Sequence, residues 1–488
     1  MPEQPSSPEV VRDARQRVSD ARARLADALA AGDAASAWEA ALSALSARGR
    51  FGVRLGLERA NALLGELGHP EREVRGALVA GTNGKGSVVA LVSAALSAAG
   101  IRHATTPKPH LVSYRERVQL DGRPLDPLSF AAAVERALAA ADAIEPRVGP
   151  ATEFELLVGA AFEALRRKGV DVAIVEVGLG GRLDATHAWG GGVAVVTNVG
   201  LDHRQYLGDT IPEIAGEKAA IIEAGDLAVT GAARAEALAV IERRAAAVGA
   251  PLKVARPLGF RSLGRGGIEV DLEGRGPVQV GLIGPHQAEN AAVAAATIDA
   301  LRLAGIADVD DAALRAGFAA ARWPGRLELV DLGGRDLLLD GAHNPDGAAA
   351  LAAALCDPAL FLRGADGAEH DGATLILAAM ADKEIGPICA ALARAPRLRG
   401  AEVIATTVGD PRSIDPASLA ASARAAGLGA VVRTAPDAPT ALALAESSPR
   451  PIVVAGSLYL VGAVREALLR HGAIADDGSL DPVGGSPS

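Results

Sequence analysis

Aromatic residues and cysteines are scarce in this chain of 488 residues. Phe, Trp and Tyr together make up 3% of it, so the core must be built from Ala, Val, Leu and Ile. Small side chains let helices pack closely against a sheet, which favours a layered α/β architecture over an aromatic-rich β-sandwich. The two cysteines, Cys356 and Cys389, have no CxxC spacing and cannot form a disulfide framework, which indicates a reducing compartment.

Excess positive charge and long apolar runs are also missing. The formal net charge of −10 offers no general electrostatic footprint for nucleic acid, so an anionic ligand must be held by local cations or a metal ion. The longest apolar stretch, residues 88–101, is interrupted by Ser93, Ser97 and Gly100 and is shorter than the ~20 residues that a bilayer requires. The N-terminal segment has no basic flank followed by an apolar core, as a secretory signal would. We therefore expect a cytoplasmic protein that binds neither nucleic acid nor membrane.

Two long stretches of the chain repeat the same α/β pattern. Residues 51–322 and 323–472 alternate short apolar, β-branched runs with amphipathic helical segments, as parallel strands covered by helices do. The boundary lies at Trp323-Pro324-Gly325, because Pro and Gly cannot continue the preceding helix.

The remaining segments differ in composition. Residues 1–50 alternate Ala, Arg, Asp and Glu with helical spacing and predict a polar helical extension that docks weakly or not at all. Glycines in residues 251–282 predict a small antiparallel excursion. Low apolar content predicts disorder in the tail, residues 473–488, and in the insert at 364–372.

A glycine-rich loop, GTNGKGS at residues 81–87, follows one strand and opens a helix. Glycines let backbone N–H groups converge on phosphate oxygens, and the helix N-terminus adds partial positive charge. Lys85 would bridge the β- and γ-phosphates of a nucleotide. The loop is shorter before Gly84 than the usual G-x-x-x-x-G-K-[ST] and places Gly86 between Lys85 and Ser87, so a plain glycine turn is the alternative.

Two further polar residues follow neighbouring strands. Glu176 ends the strand VDVAIVEV, where the carboxyl ends of a parallel sheet gather ligands, and a carboxylate there suits Mg²⁺. His203 lies just past the next strand. A surface acid and a packed or capping histidine are the alternatives for these two positions.

Several ordered motifs carry a family resemblance. They are GTNGKGS, EVGLGGRLDAT, TNVGLDHRQYLGDT, GEKAAII, PHQAEN, WPGR and DGAHNPDG, and they span about residues 50–465. In this order they resemble the folylpolyglutamate synthase/dihydrofolate synthase family of the Mur ligase superfamily. The resemblance implies an N-terminal P-loop ATPase-like domain with a parallel sheet and a smaller C-terminal Rossmann-like α/β domain that acts as the glutamate ligase domain.

The resemblance also implies a reaction. Family members use ATP and Mg²⁺ to join L-glutamate to a folate or to dihydropteroate, through an acyl phosphate that glutamate's amine attacks. The enzyme's part is positioning and charge neutralisation, as in other phosphoryl transfers. The implied ATP-binding residues are Asn83, Gly84, Lys85, Gly86, Ser87, Asn290, Arg326 and Asp340.

Metal binding and catalysis are implied at an overlapping set of residues. Glu176 and His203 resemble the Mg²⁺ ligands, and Lys218 matches a lysine that the family carries as a carbamate, which would bind a second Mg²⁺. Carbamate formation requires that neighbouring metal charge lower the lysine pKa. A helix-surface lysine is the alternative for Lys218. With Lys85 and Lys218, His343 is the third catalytic candidate, although it could equally cap the helix that starts at Pro345.

Substrate contacts are the last implication. The segments that align with the pterin side contribute Thr152, Glu153, Phe154, Glu155, Leu183, Asp184 and Ala185. Phe154 is the aromatic side chain available there for stacking on the flat pterin ring. Asp184 could accept hydrogen bonds from the amino and ring N–H groups of the pterin. Lys383 and Ser457 resemble the glutamate-binding positions. The family suggests a monomer.

One residue departs from the family pattern. A Ser that helps to coordinate Mg²⁺ usually stands directly before Pro-His-Leu, whereas Lys108 stands there in this chain. An ammonium group cannot ligate a cation. Lys108 therefore either turns outward or contacts phosphate directly, and we expect Lys108→Ser to alter the Mg²⁺ dependence.

Two other functions compete with glutamate ligation to folates. Another Mur-type ligase would use the same chemistry on a cell-wall precursor, and a regulatory P-loop NTPase would hydrolyse nucleotide without either substrate. The sequence does not distinguish dihydrofolate synthase from folylpolyglutamate synthase activity, because the two share their core chemistry.

Overall fold

The structure is a computed structural model that describes residues 8–49 and 55–481. An eight-stranded sheet organises the first part of the described chain, in the order β4-β3-β2-β5-β1-β6-β7-β8. Its strands are β1 (Arg75–Ala80), β2 (His103–Thr106), β3 (Gln119–Leu120), β4 (Arg123–Pro124), β5 (Val172–Glu176), β6 (Gly192–Val196), β7 (Leu227–Thr230) and β8 (Leu252–Val254). Neighbouring strands are parallel through β2-β5-β1-β6-β7-β8, and β3 and β4 add an antiparallel edge beside β2.

Helices cover both faces of this sheet. They are α1 (Pro8–Ala31), α2 (Ala34–Gly49), α3 (Glu58–Glu66), α4 (Lys85–Ala98), α5 (Pro127–Val148), α6 (Glu153–Lys168), α7 (Arg204–Leu207), α8 (Ile211–Ala219), α9 (Ala235–Val248), α10 (Gln287–Leu303) and α11 (Asp311–Ala320). In β1, Ala77 and Val79 enter one core while Leu78 and Ala80 enter the other. Burial on both faces explains why these strands are apolar throughout.

Close helix packing explains the many small residues. An added Cβ at Gly317 of α11 would lie 2.5 Å from the Cα of Ala95 in α4, so only glycine fits at this crossing. A separate three-stranded antiparallel sheet consists of β9 (Gly259–Ser262), β10 (Ile268–Leu272) and β11 (Gly276–Val280). The antiparallel excursion predicted within residues 251–282 is thus confirmed for β9–β11, whereas β8 extends the parallel sheet.

A six-stranded sheet organises the second part of the chain, in the order β12-β13-β17-β14-β15-β16. Its strands are β12 (Glu328–Leu332), β13 (Arg335–Leu339), β14 (Thr374–Leu377), β15 (Glu402–Ala405), β16 (Val431–Thr434) and β17 (Ile452–Ala455). The strands are parallel except β12. The accompanying helices are α12 (Pro345–Leu355), α13 (Ile385–Leu392), α14 (Pro396–Arg399), α15 (Pro416–Ala425), α16 (Ala438–Glu446) and α17 (Leu458–Arg470). The predicted α/β fold class is confirmed.

The prediction that residues 1–50 dock weakly is wrong for the described helices. Leu25 of α1 and Trp38 of α2 are fully buried in the same core as Phe130 of α5, and the Trp38 and Phe130 rings meet edge to face at 5.3 Å. The guanidinium of Arg48, only 3% exposed, lies 2.9 Å from the Asp142 carboxylate of α5. The charged residues had masked an apolar stripe with helical spacing. Residues 1–7 and 50 lie outside the described residues.

The expectation of disorder after α17 is also wrong for residues 474–481, which we call the C-terminal strap. Arg115 donates hydrogen bonds to the carbonyls of Gly478 at 2.9 Å and Leu480 at 2.6 Å. Asp477 forms an ion pair with Arg465 at 2.9 Å. These contacts join the strap to both sheet regions. Residues 482–488 lie outside the described residues.

The insert at 364–372 is ordered as well, contrary to the expectation. Arg363 and Glu369 form an isolated β-bridge, and Ala365 N–H donates to the Pro449 carbonyl at 2.7 Å. Backbone hydrogen bonds, not apolar burial, fix this turn. In the two described ranges, no helix combines the length and apolarity needed to cross a bilayer.

Candidate active site

The phosphate loop is built as its glycines require. β1 ends at Ala80 and α4 begins at Lys85, with Gly84 between them at a φ of +83°. A Cβ at Gly84 would stand 2.3 Å from Asn290 Oδ1, so the left-handed backbone and the approach of Asn290 both demand glycine. Asn290, predicted near the nucleotide, is thereby placed beside the loop.

Trp323 approaches the loop from the segment that joins the two sheet regions. A Cβ at Gly86 would lie 2.8 Å from Trp323 Nε1. The buried Ser87 hydroxyl accepts a hydrogen bond from Gln287 Nε2 at 3.4 Å, and Gln287 Oε1 in turn accepts from Asn290 Nδ2 at 2.9 Å. Helix α10 therefore supports the loop side of α4.

Two lysine side chains meet at one loop carbonyl. Lys85 Nζ and Lys218 Nζ each donate to the Gly81 carbonyl oxygen at 3.0 Å. Lys218 is 4% exposed, and burial together with the charge of Lys85 lowers its pKa to about 7. At neutral pH, a large fraction of this amine is therefore uncharged, which is the form that reacts with CO₂. The surface-lysine alternative is wrong.

Glu176 stands at the carboxyl end of β5, next to β1, and is 3% exposed. Burial raises its pKa, while the charge of Lys85, the backbone N–H of Lys108 and the charges of Lys108 and Arg326 oppose the rise. The surface-acid alternative is wrong, because this carboxylate lies among cations in the sheet's ligand-gathering edge.

The side chains proposed to bind Mg²⁺ are of chemical types that can ligate this ion. Glu176 provides a buried carboxylate, and burial lowers the pKa of His203, which keeps its imidazole in the neutral, ligating form. Within the described ranges, no group of three or more His, Cys, Asp and Glu side chains could hold a metal ion. Nucleotide phosphates, water and a modified Lys218 would therefore have to complete the coordination shell, as is usual for Mg²⁺.

Asp202 is the centre of a polar network that sequence reasoning missed. Its carboxylate accepts hydrogen bonds from Lys383 Nζ at 2.9 Å and Asn344 Nδ2 at 3.0 Å, and His203 and His343 lie 3.9 Å away. Burial favours a raised pKa for Asp202, but the charges of His203 and Lys383 and these hydrogen bonds hold it well below its usual range.

The same network shows what Asn344, His343 and Lys383 contact. Asn344, not His343, caps α12, since its Oδ1 accepts from Gly347 N–H at 2.8 Å. Burial lowers the pKa of His343 to about 4, so this histidine is neutral at physiological pH. Lys383, predicted to bind glutamate, forms an ion pair with Asp202 in this conformation.

Arg326 and Asp340 come together beside the loop. Asp340 accepts from the backbone N–H groups of Leu327 and Ala342, both at 2.9 Å. Burial lowers the pKa of Arg326, and the negative charges of Asp340 and Glu176 oppose this shift. A Cβ at Gly341 would lie 2.5 Å from Arg326 Nη1, so the guanidinium rests against the strand end that carries Asp340.

Known protein families and relatives match most of this chain. Residues 79–298 match the Mur ligase middle domain, and residues 325–458 match the Mur ligase glutamate ligase domain. The chain is 37% identical over 451 residues to the dihydrofolate synthase/folylpolyglutamate synthase of Mycobacterium tuberculosis, covering 84% of this chain and 89% of that protein. The chain belongs to the folylpolyglutamate synthase/dihydrofolate synthase family of Mur ligases.

Solved structures of the family have the same fold. The Mycobacterium tuberculosis folylpolyglutamate synthase complexed with ADP superposes with a TM-score of 0.78 at 33% identity, over 89% of this chain and 98% of that one. A bifunctional folylpolyglutamate synthase/dihydrofolate synthase with Mn, AMPPNP and L-glutamate bound gives a TM-score of 0.73 at 29% identity, over 88% of this chain and 98% of that one. This family member is therefore an ATP-dependent ligase.

On the pterin side predicted for the family, several residues have structural partners. Thr152 and Glu155 form a capping box at the start of α6, and Arg59 lies 2.9 Å from the Glu155 carboxylate. Glu153 accepts from the Tyr114 hydroxyl at 2.9 Å. Phe154 is half-buried, and its ring lies 5.1 Å below the ammonium of Lys108.

The loop after β5 is organised by one carboxylate. Asp184 accepts from the N–H of Leu179 at 2.8 Å and of Thr186 at 3.0 Å. The Leu183 carbonyl accepts a hydrogen bond from Gly56 N–H at 3.2 Å, and Ala185 is buried. A Cβ at Gly178 would lie 2.7 Å from the Phe154 ring and 3.0 Å from Asp184 Oδ2, so the start of this loop lies against both side chains.

Ser457 begins α17. Its hydroxyl accepts from Tyr459 N–H at 3.2 Å, and the residue is 2% exposed, so helix capping is its role in this conformation. The structure also adds Thr197 and Asn198, which hold Asn83 through its carbonyl at 2.7 Å and its N–H at 2.8 Å. The TNVG motif that follows β6 was the available signal for them.

Lys108 turns inward, which excludes the outward orientation considered from the sequence. Its Nζ donates to the Glu176 carbonyl at 2.5 Å, and its backbone N–H donates to Glu176 Oε2 at 3.0 Å. Desolvation lowers the pKa of Lys108 to about 8, although the charges of Asp184 and Glu176 oppose the change.

Proposed function

We propose that this protein joins L-glutamate to a folate, to dihydropteroate, or to both, with ATP as the source of free energy. The observation that carries the proposal is the concentration of cations around Glu176. Lys85, Lys108 and Arg326 all act on its carboxylate, and Lys218 joins Lys85 at the Gly81 carbonyl. In a chain of net charge −10, this local positive field suits a polyanionic nucleotide and a carboxylate substrate.

The reaction proceeds in two chemical steps. The acceptor carboxylate takes the γ-phosphoryl group of ATP and ADP leaves; the glutamate amine then attacks the acyl carbon, loses a proton and expels phosphate. Lys85 and the N-terminal N–H groups of α4 bind the phosphates. Arg326, which follows the joining segment, stabilises charge on the transferring group.

Residues at the sheet edge support these steps. Asn290 contacts the adenine side and Asp340 the ribose. Glu176, His203 and a carbamate on Lys218 would hold Mg²⁺, two ions in all, and the metal would supply positive charge to the phosphate oxygens. The support for a carbamate is the buried Lys218 amine with its pKa of about 7. His343, neutral and 3.9 Å from Asp202, accepts a hydrogen bond from the amine of the incoming glutamate and orients it toward the acyl carbon.

The pterin-binding and glutamate-binding regions are proposed from the positions of their residues in the fold. Phe154 stacks on the pterin, and the loop with Leu183, Asp184 and Ala185 borders it. Lys383 leaves Asp202 to bind a glutamate carboxylate beside Ser457. The protein acts as a monomer.

The decisive experiment offers two acceptors separately. Purified protein is incubated with ATP, Mg²⁺, L-glutamate and either dihydropteroate or tetrahydrofolate, and the products are weighed by mass spectrometry. We expect at least one acceptor to gain one glutamyl residue with stoichiometric ADP and phosphate. Glutamate incorporation into neither acceptor would refute the proposal, and acceptor-independent ATP hydrolysis would favour a regulatory NTPase.

A further inference from the structure

Lys108 is held in place from two sides. Its ammonium donates to the main-chain carbonyl of Glu176 at 2.5 Å and lies 5.1 Å above the centroid of the Phe154 ring. Its own N–H, donating to Glu176 Oε2, fixes the backbone as well. An ammonium has three N–H groups, and among the described residues the Glu176 carbonyl is the acceptor that Lys108 Nζ finds. The remaining N–H groups are available to a ligand.

Lys108 also lies between two regions of the proposed site. Lys108 lines a cavity of about 660 Å³ together with Gly86 of the phosphate loop, Trp323 and Arg326. On its other side is Phe154, the proposed pterin platform. Lys85 and Lys218, by contrast, are anchored to Gly81 on the phosphate side.

The proposed reaction needs a cation between these two regions. The acceptor carboxylate and the γ-phosphate are both anions and must approach each other within bonding distance, so their mutual repulsion has to be neutralised between them. A fixed ammonium with free N–H groups does this without being consumed, and the rigid anchoring limits the entropy lost on binding.

We infer that Lys108 binds the carboxylate of the acceptor, the group that becomes phosphorylated, and so is a substrate-binding residue of this protein. The inference rests on the proposed function. It assigns to Lys108 neither a nucleotide phosphate nor a metal-replacing role, since the anchors are β5 and α6 and not the phosphate loop.

The test compares acceptors with and without the reacting charge. Binding of dihydropteroate and tetrahydrofolate, and of their carboxamide analogues neutral at the reacting group, is measured by calorimetry with AMPPNP and Mg²⁺ present. The proteins are the unaltered chain, Lys108→Met, Lys108→Arg and Lys253→Met, an exposed lysine paired with Glu273 that serves as the control. Thermal unfolding verifies that each variant is folded.

We expect Lys108→Met to weaken binding of the carboxylate acceptor at least about tenfold and to change binding of the carboxamide less than about twofold. Lys108→Arg should recover part of the loss, and Lys253→Met should change neither affinity. Equal losses for both ligands would overturn the inference in favour of a packing role.

Two further outcomes are equally clear. An unchanged acceptor affinity with a shifted Mg²⁺ titration would also overturn the inference and assign Lys108 to the metal. If the unaltered chain binds neither acceptor, the proposed function itself fails, and the inference fails with it.

Discussion

At the scale of single residues, the site depends on charges that could not exist separately in the protein interior. Burial and, after it, the like charge of Lys85 lower the pKa of Lys218, whereas Glu176 is buried among cations that oppose its protonation. Burial combined with charged neighbours that shift pKa values in this way is typical of functional sites.

Lys218 provides the first prediction. With a pKa of about 7, the neutral, CO₂-reactive fraction of this amine grows as the pH rises from 6 to 8. We expect a carbamate signal in ¹³C NMR after addition of ¹³C-bicarbonate, increasing over that pH range and absent in Lys218→Met. Ligase activity of Lys218→Met should fall at least about 100-fold. Lys253→Met is the control, and full activity of Lys218→Met would contradict the assignment.

Gly84 provides the second. Alanine at a φ of +83° costs about 1–2 kcal/mol, and its Cβ would collide with Asn290 Oδ1. Gly84→Ala should therefore weaken AMPPNP binding at least about tenfold in calorimetry. Gly386→Ala in α13, where an added Cβ meets nothing within 4 Å, should leave affinity unchanged and the fold equally or more stable. Equal affinities for the two variants would show that the loop tolerates a side chain.

At the scale of elements, the terminal segments contribute more than their composition suggests. Helices α1 and α2 bury Leu25 and Trp38, and the strap lies against Arg115, whose guanidinium is 5.8 Å from the Trp38 ring. Composition averages over all faces of a helix, so a polar average concealed one apolar face. The strap is fixed by hydrogen bonds from a buried arginine, a signal that lies about 360 residues away in the chain.

The strap provides the third prediction. A chain that stops after Ala473 loses the hydrogen bonds from Arg115 to Gly478 and Leu480, and charged hydrogen bonds contribute about 1.5–3 kcal/mol each. We expect the free energy of unfolding in urea to drop by about 3 kcal/mol. A chain that stops after residue 481 keeps the strap and is the control. Identical urea midpoints for the two truncations would show that the strap is not a stabilising element.

At the scale of the whole molecule, polar pairs connect the two sheet regions beside the phosphate loop. Asp202 follows β6 of the first sheet, and Lys383 follows β14 of the second; both side chains are 11% exposed. A second link is the hydrogen bond that Asn344 Nδ2 donates to Asn83 Oδ1 at 3.1 Å. Under the proposed function, nucleotide and glutamate bind between the two sheet regions that these pairs join.

The Asp202–Lys383 pair provides the fourth prediction. A double-mutant cycle of Asp202→Asn and Lys383→Met should give a coupling energy of about 1–3 kcal/mol in urea unfolding. Because the pKa of Asp202 is lowered in the folded protein, its contribution is complete above pH ~4 and is lost as the pH falls further. The penalty of Asp202→Asn should shrink as the pH falls below about 4, because the carboxylate is then protonated in the unfolded chain. A penalty that stays the same from about pH 5 to about pH 2 would contradict this assignment.

The sequence by itself determined the features that consecutive residues encode. Apolar β-branched runs specified the parallel strands, and the glycines before Lys85 specified a loop that only a left-handed residue could close. The ordered motifs were enough to place the chain in its family and to identify Glu176 and Lys218 as candidate metal-binding residues.

Only the tertiary structure decided which distant groups meet. The inward turn of Lys108, the network around Asp202 and the attachment of the strap depend on sheet order and on contacts between residues far apart in the chain. The physical reason is that local backbone preference acts over a few residues, whereas the position of a charge is set by every neighbour that desolvates or balances it.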